Sequence, residues 1–120
     1  MTKPSTKKLL FVCSQNKWRS LTAEKLFANS PLYEARSVGT QPDARIVVTE
    51  GHPGWADVIF CMEKSHASRL RRKFPEALHN KRVICLHIPD EFEFIDPDLI
   101  EELQAKLSPY VTLAEENRTA

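Results

Sequence analysis

The sequence predicts an α/β fold, a three-layer sandwich in which a four-stranded parallel sheet carries helices on both faces. Strand-like segments lie at residues 8–13, 34–38, 57–62 and 81–88, and helical segments separate or follow them. Such alternation is typical of a parallel sheet with right-handed crossovers. The length of 120 residues suits a single domain over residues 1–120, large enough to bury a core without disulfides.

The first half of the chain alternates clearly. Residues 8–13 are almost continuously apolar, which favours a central strand covered on both faces. A helix is predicted at 19–29, and Pro31 ends it because the residue before a proline disfavours helical geometry. Residues 34–38 form a short strand, and Gly39 and Pro42 mark the turn behind it.

Residues 43–55 give a mixed signal, since Val47 and Val48 favour a strand while Gly51, Pro53 and Gly54 interrupt regular structure. A short helix followed by a turn is the prediction.

The second half completes the alternation. A strand at 57–62 precedes a basic amphipathic helix at 63–74, and an apolar strand follows at 81–88. A last helix begins at Asp96-Pro97 and runs through Leu107, because Asp is a capping residue and proline is tolerated in the first turn. The basic side chains at 69–73 are expected to form a solvated face, with partner binding as the less favoured alternative.

Composition excludes several classes of function. A net charge of +1 gives no electrostatic basis for binding a nucleic acid polymer or an anionic membrane. No apolar run approaches the 18 residues or so of a membrane span. Three cysteines are an odd number, which favours free thiols in a reducing, cytoplasmic setting. No Cys/His spacing matches a metal site, and no cofactor is expected.

The most informative stretch joins the first strand to the first helix. Cys13 ends the apolar run, and Arg19 and Ser20 open the helix five residues later. Backbone N–H groups in such a loop converge on one point, where the helix dipole also favours an anion. A cysteine placed there is a candidate thiolate nucleophile. Arg19 has the planar fork that holds two phosphate oxygens, and the Ser20 hydroxyl can donate to the sulfur.

At these residues the chain resembles the low-molecular-weight protein tyrosine phosphatases. That family has Cys-x5-Arg-Ser after its first strand, with Asn at the position of Asn16. Two further segments are similar to family segments, Ser37-Val38-Gly39-Thr40 and the run from Ala56 to Ser65. The resemblance implies a strand order of 2-1-3-4, a phosphocysteine intermediate and a loop-shaping network that includes Ser37. The intervening residues are the candidates for substrate binding: Ser14, Gln15, Asn16, Lys17 and Trp18. Lys17 adds positive charge and Trp18 offers a flat face; the alternative is that both side chains point to solvent.

The chain also departs from the family. Gln15 occupies a position where the family usually has Gly, and Trp18 occupies one where many members have a second Cys. Only three residues separate Thr40 from Ala44, where the family has a long segment that forms one wall of the pocket. The substrate is therefore open between phosphotyrosine and a small phosphorylated metabolite or nucleotide. Phosphate and vanadate are expected inhibitors.

A phosphatase of this kind needs a general acid, because an alkoxide or phenoxide departs more easily when protonated. The family acid is an Asp shortly after strand four, followed by aromatic residues that border the pocket. Asp90 matches the distance from the strand, and Phe92 falls where a pocket aromatic is useful. Asp96 matches the family's Asp-Pro dipeptide but has a capping task, so Asp90 is preferred. Glu91 and Glu93 are the remaining candidates.

Three functions are thus in competition. A cysteine-dependent phosphomonoesterase is the favoured one. The alternatives are an arsenate reductase-like enzyme, which needs a second thiol near the first, and a phosphate-binding module without catalysis.

Overall fold

A four-stranded parallel sheet forms the centre of the protein in a computed structural model that describes residues 6–112. The strands are β1 (Lys7–Cys13), β2 (Tyr33–Gly39), β3 (Val58–Cys61) and β4 (Arg82–Cys85). Their order is β2-β1-β3-β4, with every pair parallel. The predicted class and strand order are confirmed. The two ends of the predicted domain, residues 1–5 and 113–120, lie outside the described part.

Four helices connect or follow the strands: α1 (Arg19–Leu26), α2 (Gly51–Trp55), α3 (Lys64–Lys73) and α4 (Pro97–Leu107). The first ends three residues earlier than predicted, in a turn at 27–29. The last begins as predicted, with the Asp96 carboxylate accepting a hydrogen bond from the Asp98 N–H at 2.9 Å. None of the helices within residues 6–112 is long and apolar enough to cross a membrane.

The segment at 43–55 differs from the prediction in the order of its parts. The turn comes first, and Val47 makes an isolated bridge to Gly39. The short helix follows on Gly51, Pro53 and Gly54, the residues expected to interrupt structure. Proline is tolerated there because first-turn N–H groups have no partner within the helix.

The fourth strand is shorter than the predicted 81–88 but its path continues. Leu86 and Ile88 still donate to the carbonyls of Cys61 and Met62, both at 2.8 Å. Between them, His87 has a φ of 57°, which breaks the regular strand pattern. This extension carries the chain past the carboxyl end of the sheet.

Alternate residues of β1 divide the core into two layers. Leu9, Phe11 and Cys13 face the layer that contains α1 and α4. Leu10 and Val12 face the layer that contains Leu70 of α3. The five side chains are nearly inaccessible to solvent, as expected for a central strand covered on both faces. Cys13 therefore leaves the sheet at a fixed point and in a fixed direction.

Candidate active site

The loop after β1 encloses the sulfur of Cys13. The Asn16 N–H donates to Cys13 Sγ at 3.2 Å. Asn16 has a φ of 58°, a left-handed conformation that Asn adopts more readily than most residues. This conformation folds the loop back so that its backbone contacts the residue at which it began.

Behind the loop, two buried polar side chains support the sulfur. Asn16 Nδ2 donates to Ser20 Oγ at 2.8 Å, and Ser20 Oγ lies 2.9 Å from Cys13 Sγ. A thiolate has no proton to give, so Ser20 must be the donor when Cys13 is ionised. The chain Asn16–Ser20–Cys13 therefore directs a hydroxyl donor at the sulfur.

The Arg19 guanidinium is buried, with only 4% of the side chain exposed. Its Nη1 donates to the Glu63 carboxylate and to the Ile88 carbonyl, the latter at 2.8 Å. Within residues 6–112 these two groups hold the arginine from one side, which leaves the N–H groups of Nε and Nη2 for an anion. Glu63 was not among the residues predicted from the sequence.

Asp90 reaches the same place from the segment after β4. Its Oδ1 lies 3.7 Å from Arg19 Nε, and 63% of its side chain is exposed. Asp90 thus faces both the arginine and the solvent. Asp96 is engaged at the N-terminus of α4, where it caps the helix. The two aspartates therefore lie in different places: Asp90 is beside Arg19, and Asp96 is at the start of α4.

His66 of α3 fixes the hydroxyl of Ser14, a contact that the sequence did not indicate. The Glu63 N–H donates to His66 Nδ1 at 3.0 Å, so in the neutral imidazole the proton is on Nε2. Nε2 then donates to Ser14 Oγ, 3.0 Å away. Burial, with the charge of Arg19 beside it, lowers the pKa of His66 to about 4. Ser14 consequently accepts from His66 and keeps its own proton for an acceptor in the cleft.

The segment after β2 closes the opposite side of the loop. The N–H groups of Thr40 and Gln41 donate to the carbonyls of Cys13 and Ser14, both at 2.9 Å. Arg45 Nε donates to the Asn16 carbonyl at 3.2 Å. The close approach requires Gly39, since a Cβ there would lie 2.5 Å from the Ser14 carbonyl oxygen. On this side, the loop is therefore held by hydrogen bonds to its backbone carbonyl groups.

Together these elements line an open cleft of about 390 Å³. Cys13, Arg19 and Asp90 meet in it, and the other lining residues are Ser14, Gln15, Lys17, Trp18 and Gln41. Gln41 was not predicted. Asn16 and Ser20 lie behind the cleft, fully buried.

Two predicted supporting residues lie elsewhere. The Ser37 hydroxyl donates to the Glu24 carboxylate of α1 rather than to the loop. Phe92 is partly buried and packs against the core layer of α1 and α4, so it does not line the cleft. Both positions match the family pattern in sequence. In the structure, Ser37 binds Glu24 of α1 and Phe92 packs in the core layer of α1 and α4.

The remaining thiols are placed apart from Cys13. Cys61 is fully buried in the other core layer, and burial raises the pKa of its thiol to about 12. Cys85 is adjacent to Cys61 in the sheet. Its apolar run favours a buried strand residue, but it is partly exposed because β4 is an edge strand. Neither thiol lines the cleft, so the geometry gives no support to a resolving thiol for arsenate reduction.

Comparison with solved structures identifies the fold. The chain is similar to the tyrosine phosphatase Wzb from Escherichia coli K30 in complex with phosphate, with 19% identity over 88% of this chain and 96% of that one (TM-score 0.71). It is also similar to SP-PTP, a low molecular weight protein tyrosine phosphatase from Streptococcus pyogenes, with 17% identity over 94% and 98% of the two chains (TM-score 0.70).

A third similar structure is the YwlE arginine phosphatase from Geobacillus stearothermophilus, with 21% identity over 88% of this chain and 98% of that one (TM-score 0.59). No protein-family model and no curated protein sequence matches the chain. The protein thus has the low-molecular-weight phosphatase fold, as the sequence resemblance implies.

Proposed function

We propose that the protein is a cysteine-dependent phosphomonoesterase that forms a phosphocysteine intermediate on Cys13. The observation that carries the proposal is the convergence of a thiol, a guanidinium and a carboxyl group in one cleft, Cys13, Arg19 and Asp90. The fold shared with phosphatases adds support. The three free cysteines fit the cytoplasmic location expected from the composition.

In the first step, the Cys13 thiolate attacks the phosphorus atom and the bond to the leaving oxygen breaks. The protonated carboxyl group of Asp90 gives its proton to that oxygen. Arg19 holds two of the non-bridging oxygens, and the hydroxyl of Ser14 is available to a third. The products are the free alcohol or phenol and phosphocysteine.

In the second step, water attacks the phosphocysteine and the S–P bond breaks. The Asp90 carboxylate takes a proton from the water, and Cys13 leaves as the thiolate that Ser20 and the Asn16 N–H stabilise. Inorganic phosphate is released and both side chains return to their starting forms.

Phosphorylated aromatic or small-molecule esters are the substrates that the cleft supports. Trp18 offers a ring that is 46% exposed at the rim, and Lys17 adds a positive charge. Phosphotyrosine, sugar phosphates and nucleotides belong in a substrate panel. Phosphoarginine belongs there as well, because one of the similar structures is an arginine phosphatase.

A phosphatase assay with matched cysteine variants tests the proposal. Wild-type protein should hydrolyse an activated aryl phosphate, Cys13→Ser should be inactive, and Cys85→Ser should retain full activity. A parallel assay with arsenate as the substrate distinguishes the arsenate reductase alternative from the phosphatase. Phosphate binding by wild-type protein with no turnover of any ester in the panel would favour the binding-module alternative instead.

A further inference from the structure

A second concave site lies beside the candidate active site and is lined mainly by positive charges. It has a volume of about 440 Å³ and is formed by Arg69, Arg72 and Lys73 of α3 with Thr40 and Pro42. The three basic residues are exposed. Their spacing of i, i+3 and i+4 places them on one face of the helix. The mechanism proposed above does not use any of these side chains.

These charges have no acidic partner close by. Within residues 6–112, ion pairs involve Arg19 and Lys106 but none of the three basic residues of this pocket. Asp43 is the nearest acidic residue along the chain to Pro42, and its carboxylate accepts hydrogen bonds from Gln15 Nε2 at 3.2 and 3.4 Å. The pocket therefore has three basic groups that make no ion pair, and the Asp43 carboxylate on the residue after Pro42 is turned to Gln15.

The two sites are adjacent and rigidly linked. Gln41 lines the active-site cleft, while its chain neighbours Thr40 and Pro42 line the basic pocket. Consecutive Cα atoms are about 3.8 Å apart, so the backbone of residues 40–42 forms a narrow boundary between the two sites. The Thr40 and Gln41 N–H groups bind the carbonyls of Cys13 and Ser14. The basic pocket is thus fixed relative to the nucleophile.

A polar atom in the lining is also unsatisfied. The hydroxyl oxygen of Thr40 is buried and has no hydrogen-bond partner within residues 6–112. Buried polar atoms without partners are rare in native proteins and call for an explanation. The hydroxyl is inaccessible to solvent, so a change of the Thr40 rotamer is needed before it can donate to an anion in the pocket.

We propose that the basic pocket binds a second phosphate group of the substrate, so that a bisphosphorylated small molecule spans both sites. This inference rests on the proposed function, because it assigns the first phosphate to Cys13. Two guanidinium forks and one ammonium group match a phosphate dianion better than a single carboxylate, which needs only one fork. Because the two sites share the segment 40–42, a small molecule with phosphates at its two ends can reach both.

Three non-hydrolysable probes with the same six-carbon chain test this directly: hexylphosphonate, 6-phosphonohexanoate and hexane-1,6-bisphosphonate. Each is measured as a competitive inhibitor of aryl phosphate hydrolysis and by calorimetric titration of the Cys13→Ser protein. The bisphosphonate should bind more tightly than hexylphosphonate by about tenfold or more, because its second group binds at high effective concentration.

Paired variants of α3 provide the control. In Arg69→Gln/Arg72→Gln the advantage of the bisphosphonate should disappear. In Arg71→Gln, which removes a charge from the same helix outside the pocket, the advantage should persist. An advantage that survives the double variant, or that is absent in the wild type, would overturn the proposal.

The remaining outcomes are also decisive. Equal gains for 6-phosphonohexanoate would overturn the assignment to phosphate and indicate a site for acidic peptides. Tight, arginine-dependent binding of the bisphosphonate without any hydrolysis of the aryl ester would support this site while contradicting the proposed phosphatase activity.

Discussion

The chemistry expected of Cys13 depends on neighbours that come from both sides of the loop. The Asn16 N–H and the Ser20 hydroxyl approach its sulfur, and both can donate to a thiolate. Arg19 and Asp90 line the same cleft. The groups proposed as nucleophile, anion holder and proton donor therefore lie in one cleft, and each can be removed by a separate substitution.

Asp90→Asn should slow hydrolysis of phenyl phosphate by about 10²-fold or more, while p-nitrophenyl phosphate is affected much less. The reason is that a poor leaving group needs the proton that Asp90 supplies and a nitrophenolate does not. Steady-state kinetics with the two esters measure the difference.

Asp96→Ala is the matched control. Loss of its helix cap should lower the free energy of unfolding by about 1 kcal/mol and leave the ratio of the two rates unchanged. A leaving-group effect in Asp96→Ala rather than in Asp90→Asn would reverse the assignment.

Arg19→Lys should lower kcat/KM for an aryl phosphate by a factor on the order of 10². Lysine keeps the charge but is a point cation, so it cannot hold two phosphate oxygens in one plane. The exposed Arg71→Lys is the control and should behave as wild type. Unchanged kinetics in Arg19→Lys would remove the arginine from the mechanism.

The N-terminus of α3 organises the site more than its sequence indicates. Glu63 immediately precedes the helix and contacts Arg19, while His66 in its first turn contacts Ser14. The Glu63 N–H binds His66 Nδ1, so the two residues fix one another. Through them, one helix end orients both the Arg19 guanidinium and the Ser14 hydroxyl of the cleft.

This arrangement predicts a specific dependence of stability on pH. Burial and the charges of Arg19 and Arg69 lower the pKa of His66 to about 4, against the opposing effect of Glu63 and Asp90. In the unfolded chain a histidine has a pKa of about 6.5. Between these values the unfolded state binds the extra proton, so stability falls as the pH falls through this window.

His66→Gln should therefore remove part of the pH dependence. The difference in unfolding free energy between wild type and variant should grow by up to about 3 kcal/mol from pH 4 to pH 6.5. Urea denaturation across this range measures it, with the exposed His79→Gln as control. A constant difference would show that His66 is not buried in its neutral form.

The close packing at the end of β2 predicts how a substitution of Gly39 affects the loop after β1. Gly39→Ala should destabilise the protein by about 1–3 kcal/mol, and activity should fall because Ser14 and Gln15 are displaced. The added Cβ would lie 2.6 Å from Ala44 Cβ as well as against the Ser14 carbonyl.

Gly54→Ala is the matched substitution. Among residues 6–112, no atom other than those of the adjoining backbone lies within 4 Å of a Cβ built at Gly54. This change in α2 should therefore be neutral or stabilising by up to about 1 kcal/mol. Equal stability of the two alanine variants would contradict the close packing at Gly39.

The parallel sheet explains why distant segments meet in one site. The loop after β1, the turn after β3 and the extension of β4 all leave the same edge of the sheet, where ligands bind in open α/β folds. Cys13, Glu63 and Asp90 come from these three places. The order β2-β1-β3-β4 puts β1 between its partners, so its loop is supported from both sides.

Much of this arrangement could be predicted from the sequence. The apolar run before Cys13, the helix start at Arg19 and the cap at Asp96 are local signals, and they lead to the correct class. The strand order followed from the family resemblance. The contacts among Cys13, Asn16 and Ser20 are also local, because they are made within seven residues.

The parts that were not predicted depend on long-range contacts. Glu63 and His66 reach the site from 44 and 52 residues away, and no spacing in the sequence reports that distance. Ser37 and Phe92 fit the family pattern, but the carboxylate of Glu24 and the core of α4 engage their side chains. Such competition between neighbours depends on tertiary packing.

Trapping the phosphorylated enzyme is the most direct test of the proposed chemistry. Wild-type protein mixed with an aryl phosphate and quenched in acid should carry one phosphoryl group on the peptide that contains Cys13, as read by mass spectrometry. Cys85→Ser should give the same adduct, and Cys13→Ser should give neither a thiol-bound phosphoryl group nor turnover. Turnover by Cys13→Ser at the wild-type rate, or a phosphoryl group on another residue of the wild type, would contradict a phosphocysteine mechanism.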